Sequence, residues 1–296
     1  MIDVHRLRIL REVAEQGSFA RAATVLRLTP SAVSQQVAAL ERSLGRPVVE
    51  RSTRGVRLTE PGRVLVEAAE TVAAELSAAQ LRIEQLASGE AGKLTIATFT
   101  SGGQRLLPAT LTELAAAHPD IETSVLEFEP EDSLGMVRSG QADAALVYHF
   151  GTIDPGPGLT YTPLMDDPML IVLPRTHPLA GRTSLRMAEL ADERWIQGCV
   201  DTGAVADTQA ALAGFQLRVA CRSTDYLFTQ SLISAGQGIS LIPSVAVSAH
   251  LADRLAAIPL EAPQPMRYIG AVTAHRRWPQ PLVGSLLAAL HNAVNA

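Results

Sequence analysis

Leu65, Ala69, Val72, Leu76, Ala79, Ile83 and Leu86 follow one another at spacings of 4, 3, 4, 3, 4 and 3. That is an a/d seam held over three heptads, and neither Gly nor Pro interrupts residues 63–88. At 1.5 Å per residue the spacing predicts a rod ~40 Å long. An apolar stripe on such a rod needs a partner, and a second copy of the chain is the simplest one. Alanines in the seam imply close approach. The rod also divides the 296 residues, and the segments on either side follow different periodicities.

Before the rod the pattern is helical and short. Val4, Leu7, Leu10 and Val13 recur at helical spacing until Gly17. Ser18 is placed to cap a second helix, Phe19 to about Leu26. In Leu28-Thr29-Pro30, Thr29 is a natural N-cap and Pro30 a natural first helical residue. The third helix is expected from Pro30 to about Leu44, stopped by Gly45. At 100° per residue Val33, Val37, Leu40 and Leu44 share one stripe. Ser31, Gln35, Ala38 and Arg42 fall opposite, with Ser34 at the edge. Small hydrogen-bonding side chains without bulk are what a helix entering the DNA major groove presents, since Gln can pair with adenine and Ser with several base edges.

The stretch from Pro47 to Thr59 reads as two short strands around a turn, with Arg51, Arg54 and Arg57 clustered on it. A basic hairpin beside such a helix is a wing whose arginines meet phosphates or the minor groove. Charge agrees. The net value of −5 is mildly acidic, yet in residues 1–66 eleven arginines stand against six acids, leaving the rest of the chain at −10. Opposite signs in two segments point to one part that meets a polyanion and one that does not.

From Lys93 onward strands alternate with helices. Strands are expected at Lys93–Phe99, Ile121–Phe128, Ala142–Tyr148, Met169–Leu173, Glu193–Gly198, Leu217–Cys221, Ile239–Ile242 and Met266–Val272. Helices are expected at Gln104–His118, Asp132–Ser139 and Pro281–Val294, with Thr100-Ser101-Gly102-Gly103 as a turn. This order predicts an α/β body with a mainly parallel sheet, in one or two lobes. Asp166–Asp167 reads as a surface carboxylate pair in a loop. No P-loop, Gly-x-Ser-x-Gly elbow or His-Glu-x-x-His occurs, and no two of the seven histidines have metal-ligand spacing. We therefore expect no catalytic residues, no metal and no cofactor. The start has no apolar leader and no run reaches a membrane span, so a cytoplasmic protein without a membrane partner is expected.

Ser18-Phe19-Ala20-Arg21-Ala22-Ala23 followed by Leu28-Thr29-Pro30-Ser31-Ala32-Val33-Ser34-Gln35-Gln36-Val37 resembles the DNA-binding segment of LysR-type transcriptional regulators. Leu44-Gly45-Arg46-Pro47 and Leu58-Thr59-Glu60-Pro61-Gly62 continue the likeness into the wing and linker, and Ala235-Gly236-Gln237-Gly238-Ile239 is similar to the family further on. Val48-Val49-Glu50 departs from it where many relatives carry a Leu-Phe pair. The resemblance implies a winged helix-turn-helix (1–60), a dimerising linker helix (61–90) and a two-lobed effector domain of the type 2 periplasmic-binding-protein fold (91–296), with lobe I at about 91–163 and 267–296 and lobe II at about 164–266. It further implies a small-molecule effector, an interrupted-palindrome DNA site, contact with RNA polymerase, and a homotetramer built as a dimer of dimers. The DNA-binding set it implies is Arg27, Thr29, Pro30, Ser31, Ser34, Gln35, Arg51, Thr53, Arg54 and Arg57. The effector set it implies is Thr98, Thr100, Ser101, Gly102, Phe128, Tyr148, His149, Gln197, Gly198, Cys199, Asp225 and Phe228. Two other readings remain beside this one. A two-lobed body also suits a solute receptor or an enzyme. Cys199 and Cys221 admit a thiol-based sensor, because the peroxide-sensing branch of the family uses a cysteine pair in the same lobe, although no Lys or Arg flanks Cys199 in sequence.

Overall fold

Capping residues set the limits of the first three helices. In the computed structural model, which describes residues 2–52, 55–88, 92–198, 200–275 and 280–295, α1 (Val4–Gln16) begins at Asp3, whose carboxylate accepts from the His5 N–H. Ser18 accepts from Arg21 N to open α2 (Phe19–Leu26), and Thr29 accepts from Ala32 N to open α3 (Pro30–Leu44). Gly17 and Gly45 close α1 and α3 in the left-handed conformation that a residue without Cβ adopts freely. The three helices bury Leu7, Leu10, Val13, Ala22, Ala23, Val33, Val37 and Leu40 in one core. The hairpin β1 (Val49–Ser52) and β2 (Gly55–Leu58) follows, antiparallel with Val49 opposite Leu58. The rod is α4 (Glu60–Ser88), 29 residues long.

The body runs β3 (Lys93–Thr98), α5 (Thr100–Ala117), β4 (Glu122–Glu127), α6 (Pro130–Ser139), β5 (Ala144–His149), β6 (Leu159–Pro174), β7 (Arg194–Gln197), α7 (Val200–Leu212), β8 (Arg218–Arg222), α8 (Tyr226–Ser234), β9 (Ser240–Pro243), β10 (Leu255–Pro259), β11 (Met266–Ala274) and α9 (Pro281–Asn295). One lobe orders its strands β4-β3-β5-β11-β6. Its one face packs on α5 and α9 through Leu94, Ile96, Leu106, Leu146, Leu286 and Leu290. Its other face packs on α6 through Val137, Ala145, Val147 and Val272. The second lobe is built on the later half of β6, which pairs with β9 and β10, and buries Met169, Ile171, Leu185, Trp195, Leu241 and Ile258. The β7–β8 pair joins it through the Trp195–Ile239 bridge.

Four expectations change. The sheets are mixed, not mainly parallel: β3 is parallel to β4 and β5, and β7 to β8, but β6, β9, β10 and β11 pair antiparallel. The cause is that β6 and β11, which run side by side between the lobes, point in opposite directions. β6 also begins ten residues before the expected Met169. Pro163 and Pro168 disguise that half, and the ladder accommodates the first of them at a register shift facing Ile269 and Gly270. The small-residue stretch 100–103 is not a turn but the first turn of α5. Finally, Asp167 is no surface residue: Asp166 is exposed, but Asp167 lies on the opposite face of β6 and is fully buried against Arg267. No helix among the described residues is long and apolar enough to cross a membrane.

Candidate functional site

The α2–α3 connection brings the sequence-derived DNA residues onto one surface. Arg27 ends α2 at φ 55, an unusual conformation for a residue with a Cβ, held as its N–H donates to Ala23 O and Thr24 O. Arg27, Thr29, Pro30, Ser31 and Gln35 are exposed, and Ser34 is half-buried. Thr29 Oγ1 and Ser31 Oγ lie 3.1 Å apart at the α3 N-terminus, where backbone N–H groups and the helix dipole favour an anion. The stripe Val33, Val37 and Leu40 is wholly buried on the other side.

The wing sits beside this face because it is pinned from two directions. Val56 N donates to Gly17 O, and Gly55 approaches the same carbonyl so closely that a Cβ would lie 2.8 Å from it. Glu41 on α3 accepts from both Val48 N and Val49 N. Val48 and Val49 are both buried in the reader core, so the departure from the family pattern is a packing change. Arg57 is exposed on β2, opposite Glu50. Arg51 lies in β1 opposite Val56, but its side chain, like Thr53 and Arg54, falls outside the described residues.

The seam on α4 serves two purposes. Leu65 and Ala69 are 8% and 5% exposed and pack into the reader's own core. Leu76 and Ile83 stand out at 61% and 66%, with Val72 and Ala79 half-buried. The side chain of Leu86 lies outside the described residues.

The effector residues fall into two groups. In the first lobe Thr98 and Ser101 are buried and Thr100 Oγ1 donates to Glu127 at 2.6 Å. Gly102 packs under Phe99, whose ring leaves no room for a Cβ. Phe128 is exposed just beyond β4. Tyr148 turns its ring toward Phe99, and its hydroxyl lies 2.9 Å from Glu129 Oε2 and 3.1 Å from Asp201 Oδ2, so it reaches across to the second lobe. His149 departs from the expected pairing with Tyr148. It points to the other face of β5, meets Tyr161 Oη at 3.1 Å and stacks on Tyr268. Burial lowers its pKa, which favours the neutral imidazole.

In the second lobe Gln197, Gly198, Asp225 and Phe228 do come together. With Gly203, Ala204, Asp207 and Arg222 they line a cleft of about 680 Å³ at the C-terminal ends of β7 and β8. Gln197 is the organiser, donating to Asp207 at 2.7 Å and accepting from Arg222. Asp225 caps α8 by accepting from Phe228 N. Cys199 lies outside the described residues; Cys221 is a free thiol, half-buried on β8.

Beneath the first of these groups lies a pair that the sequence did not reveal. Arg267 on β11 donates from Nε to Asp167 Oδ2 at 2.7 Å and from Nη2 to Ser101 Oγ at 3.1 Å. Its guanidinium lies over the rings of Phe99 and Tyr148, at 5.0 and 4.6 Å. Asp167 also accepts from Ser244 Oγ and Val245 N. Arg267 is 1% exposed and Asp167 0%. The signal was available: an arginine inside the apolar run Met266–Val272 has to find a buried acid.

A family model described as the LysR substrate binding domain matches residues 87–295, and one described as a bacterial regulatory helix-turn-helix protein of the lysR family matches residues 4–63. The chain belongs to the LysR family of transcriptional regulators. This LysR-type regulator is 33% identical over 276 residues to a probable hydrogen peroxide-inducible genes activator of Mycobacterium avium, covering 90% of this chain and 86% of the other. It is 29% identical over 285 residues to the DNA-binding transcriptional dual regulator OxyR of Escherichia coli K12, covering 92% and 89%. Among solved structures it resembles ArgP from Mycobacterium tuberculosis (TM-score 0.68, 23% identity, 100% and 98% covered) and full-length CbnR complexed with its target DNA (TM-score 0.55, 20% identity, 99% and 100% covered). The LysR-type regulator thus pairs a helix-turn-helix DNA reader with an effector-binding body.

Proposed function

We propose that Ser31, Ser34 and Gln35 read base edges while Arg27, Arg51, Arg54 and Arg57 hold the phosphate backbone, with Thr29, Pro30 and Thr53 setting the approach. The observation that carries this is the two-sided α3, with Ser31 and Gln35 exposed opposite a fully buried Val33–Val37–Leu40 stripe, and the wing pinned alongside. The reader comprises residues 1–60, the linker 61–90 and the effector domain 91–296, with lobe I at about 91–163 and 267–296. The exposed Leu76 and Ile83 pair with a second copy, and two such dimers form the tetramer that binds an interrupted palindrome and contacts RNA polymerase in the cytoplasm. The regulator has no catalytic role. Its effector is a small molecule held between the Ser101–Tyr148 group and the Gln197–Phe228 group, and the second-lobe side of that site is itself a cleft of the size such ligands occupy.

The test is a gel shift on DNA upstream of the regulator's own gene across a salt series. Phosphate contacts give a steep loss of affinity with salt, and Arg57→Ala lowers the slope by roughly one unit. Ser31→Ala with Gln35→Ala removes sequence preference and leaves non-specific binding. Specific binding by a chain lacking residues 1–60 overturns the reading. A second reading of the signal is favoured by the relatives named for hydrogen peroxide: Cys199 senses an oxidant. Under it, Cys199→Ser abolishes a peroxide-dependent change in the footprint; under the small-molecule reading it leaves the footprint unaltered.

A further inference from the structure

Helix α6 touches both ends of the regulatory problem. At its N-terminus Glu129, the N-cap residue, accepts from the Tyr148 hydroxyl, which also faces Asp201 of the opposite lobe. Ser133, buried in the first turn, donates to Phe128 O and fixes the helix to the cleft rim. Ten residues span about 15 Å. At the far end Arg138 Nη1 lies 3.9 Å from Glu70 Oε2 on α4, and α6 packs directly on that helix. Arg138 Nη2 donates to Pro155 O in the loop leading into β6, where Gly156 leaves the room the guanidinium occupies.

Glu70 stands one residue beyond Ala69, which is buried in the reader core, and α1 packs on the same stretch of α4. The charged groups facing it are Arg11 and Glu15 from α1, Glu67 from α4 itself and Arg138 from α6. Arg11 Nε and Arg138 Nε are both buried without a hydrogen-bond partner among the described residues. Among the described residues the ion pair Arg11 makes is with Glu15, at 3.7 Å. Two arginines from different parts of the chain thus flank one half-buried carboxylate with hydrogen-bonding capacity unspent, an arrangement that can tighten or loosen at small cost. Burial raises the Glu70 pKa against the pull of both arginines, as expected where neither contact is close.

We propose that α6 is a strut that carries the state of the effector cleft to the DNA reader of the same protomer, and that its foot is the Arg138–Glu70–Arg11 junction. The proposal rests on the assignment of the cleft as the effector site. Movement of Asp201 relative to Tyr148 and Glu129 shifts α6 along its axis, and the shift reaches α4 and α1 through Glu70.

The test perturbs one end and reads the other in the full-length protein. Tyr148→Phe and Asp201→Asn alter the cleft end without any ligand. Amide hydrogen exchange is followed over residues 62–75 and 5–15. In the wild-type background each cleft variant changes exchange there by about 2- to 30-fold, the range of a coupling worth 0.5–2 kcal/mol. In the Glu70→Gln background the same variants change it less than twofold. An equal response in both backgrounds, or none in the wild type, overturns the strut. Arg138→Gln repeats the cut from the other side and decides the matter if Glu70→Gln misfolds by circular dichroism. A gel shift on the same samples separates the two claims: coupling without DNA binding removes the functional reading and leaves the strut, and DNA binding without coupling does the reverse.

Discussion

Two ion pairs hold this chain together across its parts, and they are built on opposite principles. Arg267–Asp167 at the lobe crossing is wholly buried, and its members together contact Ser101, Ser244, Val245 and two aromatic rings. Arg138–Glu70 at the linker is partly exposed, 3.9 Å long and flanked by an under-used Arg11. A buried pair with its hydrogen bonds completed specifies one geometry, since either partner left alone is an uncompensated charge in a dry interior. A half-hydrated pair tolerates several geometries at similar free energy. The first pair therefore fixes the geometry where the lobes cross, and the second constrains the body against the rod far less.

The comparison breaks most visibly at the buried pair. Asp167→Ala destabilises the body by about 3–5 kcal/mol in urea titration, because it strands Arg267 without a counter-charge. Asp167→Leu with Arg267→Met recovers most of that loss, which separates charge stranding from packing. The two ends of the α4 seam come next. Leu65→Ala costs about 2–4 kcal/mol in the reader's unfolding transition, since it opens a cavity. Ile83→Asp leaves protomer stability within about 0.5 kcal/mol and instead, on the proposed pairing of two copies through this seam, lowers the mass measured by size-exclusion chromatography with light scattering. Thr29→Ala removes the α3 cap for about 1 kcal/mol and weakens specific DNA affinity in the same titration series.

The smallest effect belongs to Glu70. Its pKa is raised in the folded protein, so the fold takes up a proton more readily than the unfolded chain. The carboxylate's contribution to stability therefore falls as pH rises from its ordinary range through the raised value. Glu70→Gln lacks that component. The melting temperature of the wild type relative to Glu70→Gln should fall as the pH rises above the ordinary carboxylate range, and a constant difference would show that Glu70 titrates as it does in water.

The reader was legible because its determinants are local. Ser18, Thr29, Pro30, Gly17 and Gly45 each act within four residues, and a 3.6-residue stripe needs no knowledge of what it packs against. The body was legible strand by strand, but not where a contact joins distant residues. Asp167 looked like half of a solvated doublet, because its partner lies 100 positions away and nothing near it betrays burial. His149 looked like a neighbour of Tyr148, and the pleat sends it to the opposite face. The first half of β6 was hidden by two prolines that a bulged, irregular ladder accepts. The seam was read correctly as apolar, but only packing reveals that Leu65 and Ala69 belong to the reader and not to a partner.

The route of β6 through both lobes governs how the protein is made. The second lobe is an insertion, and the first lobe's sheet stays incomplete until β11 returns to lie beside β5, pairing Tyr268 with His149. On the ribosome, β3, β4 and β5 emerge with an open edge and wait for the chain to reach residue 274 before that edge is covered. Such high contact order slows folding and exposes strand edges meanwhile. The reader, whose core is complete once Ala69 is made, can fold long before. A nascent chain of this regulator thus carries a DNA-binding head ahead of an unfinished body, and the edge of β5 stays uncovered in the interval between the synthesis of β5 and that of β11.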